Sequence, residues 1–147
     1  MRYETYDLET TESLMSFEFL SEGPKGIIKK RVIFQETGQA DFYNLAFGDI
    51  DSTTDAIDDK IVTDNNDAKK ILATIAETVS IFLDKYPNAY IYAKGSTLSR
   101  NRLYRIGISN NLEEINEQFM VLGLSSDNKW TIYEKNNDYS AFLIKKK

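Results

Sequence analysis

Three arginines, Arg100, Arg102 and Arg105, follow directly on the turn Gly95-Ser96-Thr97 in a chain whose net charge is −5. That grouping suits recognition of an anion. Ser96, Thr97 and Ser99 offer hydroxyl donors, and Arg100 and Arg102 are placed to clamp a phosphate or a carboxylate through charge-assisted hydrogen bonds. Tyr104 and Arg105 come one helical turn later, with Arg100 and Tyr104 on one face at four-residue spacing. A helix that starts at this turn also aims unpaired backbone N–H groups at the same point, where its dipole favours negative charge. The candidate ligand-binding set is therefore Ser96, Thr97, Arg100, Arg102, Tyr104 and Arg105. The competing reading is purely structural: Ser96 or Thr97 caps the helix, and the arginines pair with acidic residues such as Glu113, Glu114 or Asp49.

Composition removes most other chemistry. The 147 residues include no histidine and no cysteine. The commonest general base, the commonest transition-metal ligand, thiolate nucleophiles and disulfides are all unavailable. No catalytic residue, metal site or cofactor is assigned, and the balance weighs against an enzyme. Asp49, Asp51, Thr53 and Asp55 have the spacing of the start of a calcium loop. The sixth position is Thr54 rather than glycine, however, and the twelfth is Lys60 rather than glutamate, so a polar turn is the better reading. Neither a Walker pattern nor the dinucleotide-binding glycine fingerprint occurs. The N-terminus lacks the apolar segment of a signal peptide, and no window reaches the ~18 apolar residues of a membrane span. A cytoplasmic protein with no membrane partner is expected. The acidic balance speaks against a general nucleic-acid coat.

The elements that must position the arginines are legible from periodicity. The expected fold is one α+β domain over residues 1–147: an antiparallel β-meander, then helix–strand–helix, then a C-terminal hairpin, in a mixed sheet covered by one long helix. A weak edge strand is expected over Tyr3 to Leu8, then strands over Ser16 to Leu20, Ile27 to Glu36 and Asp41 to Phe47. In the second of these, Ile28, Lys30, Val32 and Phe34 share a face, and Lys29-Lys30-Arg31 reads as a solvated strand end. Ile61-Val62 forms a short apolar segment. The long helix is marked by Ile71, Leu72, Ile75, Val79, Phe82, Leu83 and Tyr86 at helical spacing, with N-cap residues at 63–67 and a stop at Pro87. Ala89 to Lys94 is the expected central strand, buried on both faces. The arginine helix follows from about Leu98 to Ile108, with Leu103 and Ile106 turned inward, and a short helix is expected from Asn111. Met120 to Leu124 and Lys129 to Glu134 form a hairpin. Tyr139 to Ile144 is a last apolar segment before a solubilising run of lysines.

The order βββ–α–β–α is also that of ribonuclease H-like folds, whose chemistry places carboxylates on the first and fourth strands. Here the fourth strand ends Tyr92-Ala93-Lys94-Gly95-Ser96, with no acid at that place. The sequence further resembles a family of short bacterial proteins known only as a domain of unknown function. The resemblance is carried by Phe47-Gly48-Asp49, Ile57-Asp58-Asp59, Asn65-Asn66-Asp67, and Gly95-Ser96-Thr97 with Arg100, Arg102, Leu103, Tyr104 and Arg105. It runs from Tyr3 to Lys146, implies a bacterial, single-domain, cytoplasmic protein, and brings no catalytic residues. Two functions stay open. One is a non-catalytic binding or regulatory protein with a protein partner, of the toxin–antitoxin or immunity type, favoured by a chain rich in tyrosine, which with arginine dominates interface hot spots. The other is a binder of, or enzyme on, a phosphorylated ligand or RNA at the Gly95–Arg105 turn. Oligomeric state is not legible.

Overall fold

The computed structural model describes residues 4–58, 64–95 and 97–147. A two-residue strand, β1 (Glu9–Thr10), pairs with β2 (Ser16–Gly23), which turns antiparallel into β3 (Gly26–Glu36) and then β4 (Phe42–Ile50). A short strand, β5 (Ile57–Asp58), returns against the end of β4. Then come α1 (Ala68–Lys85), β6 (Tyr90–Ala93), α2 (Leu98–Asn110) and α3 (Leu112–Gln118). Three strands close the chain: β7 (Phe119–Leu124), β8 (Trp130–Ile132) and β9 (Ala141–Lys146). The sheet order is β1-β2-β3-β4-β6-β9-β7-β8. The expected α+β class, meander and C-terminal hairpin are all present.

One topological point departs from the expectations, and one was not foreseen. In a ribonuclease H-like order the first meander strand would lie beside the strand that follows the helix. Here the third, β4, takes that place, pairing parallel with β6. The reason is local: β4–α1–β6 is a direct crossover, and sequential elements joined that way become neighbours. The last apolar segment had no assigned place in the sheet. As β9 it inserts between β6 and β7, antiparallel to both, and Lys146, its final residue, reaches Asp84 at 3.0 Å. The expected edge strand at Tyr3 to Leu8 lies partly outside the described residues. Its described part is not a strand, because Tyr6 donates its amide to Thr74 Oγ1 on α1 instead of joining the sheet. Ile61-Val62 also lies outside the described residues.

Period-two alternation along the strands puts one residue set against the helices. Phe17, Phe19, Val32, Phe34, Leu45, Phe47, Ile91 and Phe142 form that inner face, packed by Ile71, Ile75, Val79, Phe82 and Leu83 of α1. The predicted stripe of α1 is the buried one. The start of α1 is tied to the meander by polar groups. Buried Asn65 accepts from Lys25 N at 2.8 Å and donates to the Gly26 carbonyl at 2.9 Å. Asp67, at the N-cap, spends its carboxylate on Tyr6 and Ser21, each at 2.5 Å, rather than on its own helix.

Lys30 is the main misreading. It is fully buried, and its ammonium lies 2.6 Å from Asp49 Oδ1, not in solvent at a strand end. Lys30 and Asp49 are cross-strand partners in register, so each offsets part of the other's cost of burial. The outer face of the sheet was misread too. Ile91 and Ala93 are buried as expected, but Tyr90 is exposed and Tyr92 only half-buried. All three helices pack on the inner side, so being central in a sheet does not cover both faces.

Candidate functional site

Thr97 is the N-cap of α2: its hydroxyl accepts from the Arg100 amide at 3.1 Å. Ser96 lies outside the described residues. The face of α2 turned inward is not the expected Leu103–Ile106 pair, since Ile106 is exposed. It is Arg100 and Tyr104, which are both buried, with Ile108 packed against the core one turn further. Successive steps of four residues keep these three on one side.

Arg100 enters a gap in the sheet. On one side of β4, residues 42–45 pair with β6 and residues 49–50 pair with β5. Between them the carbonyl of Phe47 has no ladder partner on that side among the described residues, and Arg100 Nη1 donates to it. The guanidinium also stacks over the Phe47 ring at 5.2 Å, while Lys30 approaches the same ring at 5.8 Å. The two buried cations differ in one respect. Lys30 has the carboxylate of Asp49. Arg100, only 2% exposed, has a neutral carbonyl, and its Nε and Nη2 have no hydrogen-bond partner among the described residues.

Those two nitrogens form one edge of the guanidinium, and their N–H bonds run parallel. This is the fork that grips a carboxylate or phosphate with two bonds. Arg31 supplies an internal comparison. Its Nε and Nη2 both reach Glu18 Oε2, at 2.8 and 2.5 Å. Burial by itself would raise the Glu18 carboxyl, but the hydrogen bonds from Arg31 and Lys29 outweigh it and hold the group below the ordinary carboxylate range. The same edge is satisfied in Arg31 and unsatisfied in Arg100.

Arg100 lines a crevice of about 510 Å³. Its walls are Arg31, Ile33 and Gln35 of β3, residues 44–47 of β4, residues 55–57, Lys94, and Arg100 with Tyr104 of α2. Lys94 is exposed and has no ion partner among the described residues, whereas Arg31 is held by Glu18 and Asp55. The crevice lies along the middle of β3 and β4, beside the gap that opens past the carboxyl end of β6. A smaller apolar cavity of about 100 Å³ between the helices and the sheet, bordered by Leu72, Ile75 and Phe142, has almost no polar group to orient a ligand and is core.

Of the predicted set, the fold brings Thr97, Arg100 and Tyr104 to this corner. Arg102 is exposed and Arg105 turns to Asp138; neither lines the crevice. None of the three arginines uses Glu113, Glu114 or Asp49 in the pairings seen. The residues missed were Arg31, Lys94, Gln35 and Asn44, which come from the meander and from the strand end. One signal was present: Lys29-Lys30-Arg31 lies in the strand that forms the opposite wall.

Gly95 sets the entry to α2. A Cβ there would sit 2.2 Å from the Asn101 backbone nitrogen, a contact that a side-chain rotation cannot relieve. Gly95→Ala is expected to shift the first turn of α2 and to cost about 1–3 kcal/mol in urea unfolding, the usual range for forced overpacking. Wild-type stability in that variant would show that α2 is not held against the strand end.

No curated protein and no solved structure matched the chain. A family model matched residues 2–147, nearly the whole length. The protein thus belongs to the family of unknown function DUF6934.

Proposed function

We propose that this protein is a non-catalytic, cytoplasmic bacterial binding protein that recognises an anionic group, a phosphate or a carboxylate, in the crevice at Arg100. One observation carries the reading: a buried guanidinium whose Nε–Nη2 edge has no partner among the described residues. Leaving such donors unsatisfied costs several kcal/mol, because a buried charge needs either a counter-charge or a full set of hydrogen bonds. An anion seated against that edge would supply both. Lys94 adds charge at the rim, and Ile33 and Ala46 offer apolar contact to the body of a ligand. Inorganic phosphate alone would then bind weakly, and a phosphorylated or carboxylated metabolite more tightly.

Catalysis is not part of the proposal. The crevice brings no histidine or cysteine, and among the described residues no cluster of three or more metal-ligating side chains forms. A regulatory role, in which occupancy changes how the protein meets a partner, fits the reading best.

The test is a thermal-shift panel of inorganic phosphate, nucleoside monophosphates, sugar phosphates, dicarboxylates and short RNA. A ligand at a hundred times its dissociation constant adds about 2.7 kcal/mol of stability. At least one anion should raise the melting temperature in a saturable way, and the neutral analogue of that ligand should not. Absence of a shift with every anion would refute the proposal.

A further inference from the structure

At about 510 Å³ the crevice has the size of a pocket for a whole small molecule, not for one phosphate or carboxylate. The end away from Arg100 carries polar groups of its own. Gln35 and Asn44 are cross-strand partners that both line the crevice, and Asn44 Nδ2 donates to Gln35 Oε1 at 3.1 Å. That bond leaves Gln35 Nε2 as a donor and Asn44 Oδ1 as an acceptor, side by side and without a partner among the described residues. Side-chain amides present this donor–acceptor pattern to the edge of a nucleobase. Between the pair and Arg100 lie Ile33 and Ala46, themselves cross-strand partners, which give the crevice an apolar floor. Tyr92, the register partner of Asn44 on β6, stands beside the amide pair on the outer face, its ring edge-on to Trp130 at 6.2 Å.

Resting on the reading that Arg100 receives an anion, we infer that the ligand is a nucleoside 5′-monophosphate unit. Its phosphate sits at Arg100 and Lys94, its sugar over Ile33 and Ala46, and the edge of its base at Gln35 and Asn44. Three arguments select that class. The first is charge. Arg31 is neutralised by Glu18 and Asp55, whereas Arg100 and Lys94 have no ion partner among the described residues. Two uncompensated cations suit a phosphate monoester, which carries about −1.5 to −2 at pH 7; a carboxylate brings only one charge. The second is spacing. Phe47, whose carbonyl anchors Arg100, is three residues from Asn44 on β4, about 10 Å along the strand. A ribose and the width of a base together bridge that gap, and a simple sugar phosphate would leave the amide pair bare. The third is the aromatic ring of Tyr92 beside the pair, which favours a flat heterocycle over an open-chain amide because every base has a face that stacks.

The experiment is isothermal titration calorimetry on the full chain. The probes are the nucleoside 5′-monophosphates, ribose 5-phosphate, the unphosphorylated nucleosides and a 5′-phosphorylated trinucleotide. At least one monophosphate should bind about tenfold or more tightly than ribose 5-phosphate, the gain expected of two hydrogen bonds and a stacked base. The matching nucleoside should bind far more weakly than its monophosphate. Gln35→Leu and Asn44→Leu should each keep the circular-dichroism spectrum and the affinity for ribose 5-phosphate, yet lose the preference for the nucleotide. Arg100→Met should lose both. A trinucleotide that binds no more tightly than the monophosphate identifies the ligand as a free nucleotide, and a clear gain identifies it as the end of a single strand; the same unit is recognised in either case. A nucleotide that binds no more tightly than ribose 5-phosphate would overturn this inference and leave the anion site standing, as would a preference that survives both amide substitutions. No binding by any phosphate compound would overturn both.

Discussion

Phe82→Ala is expected to destabilise the protein by about 3–5 kcal/mol, the cost of losing a large buried side chain and leaving a cavity. Phe82 is fully buried in the middle of α1. Its ring stacks on Phe34 of β3 with centroids 4.2 Å apart, and it meets Tyr43 of β4 at 5.0 Å and Tyr86 at 4.8 Å. One side chain therefore joins the helix to two meander strands. The surrounding rings are rigid and cannot collapse into the space, so the upper part of the range applies. A folded domain has only about 5–15 kcal/mol in hand, and a large unfolded fraction at 37 °C should follow. Urea denaturation followed by circular dichroism measures it. A loss under 1 kcal/mol would mean that α1 does not rest on the sheet through this ring.

Lys30→Met should have an effect of similar size for a different reason. The substitution keeps the length and most of the volume of the side chain, so packing changes little. It removes the ammonium that lies 2.6 Å from Asp49 Oδ1. A carboxylate left largely buried without that partner costs about 3–5 kcal/mol. Lys29→Met, one residue away on the exposed side, loses only a solvated pair with Glu18 and should change stability by about 0–1 kcal/mol. Equal effects from the two substitutions would show that the Lys30–Asp49 pair is not a structural element.

The contrast between these two lysines shows what was legible in the sequence. Lys30 falls in phase with Ile28, Val32 and Phe34, so its position on the inner face followed from alternation. Reading it as solvated put the usual behaviour of lysine above the local pattern. Its partner lies nineteen residues away on the next strand, and only the hairpin register identifies it. The long helix was fully legible because its stripe is continuous and local. Strand order was not, because the pairing of β4 with β6 and of β9 with β6 joins distant segments whose own alternation is silent about neighbours.

The arginine cluster divides in the same way. Arg100 and Tyr104 at four-residue spacing were assigned to one face, and both line the crevice. Arg102, two residues from Arg100, lies about 200° around a helix and could not have joined the same clamp, a point the sequence already contained. The other wall of the crevice comes from β3 and β4, and the carbonyl that Arg100 meets is fifty-three residues away. No local pattern announces such a wall.

The central claim is that the free edge of Arg100 is a receptor for an anion. Melting temperature is the most direct measure, for wild type and Arg100→Met, each without added anion and with the best anion from the panel. The account predicts that Arg100→Met melts at or slightly above the wild-type temperature without the anion, because an uncompensated buried charge has been removed. It also predicts that the variant loses the anion-dependent rise, with affinity reduced by about 1.5–3 kcal/mol for the lost charge-assisted bonds. An Arg100→Met protein that melts well below wild type, yet keeps its full response to the anion, would contradict it and leave Arg100 as a brace for the Phe47 carbonyl.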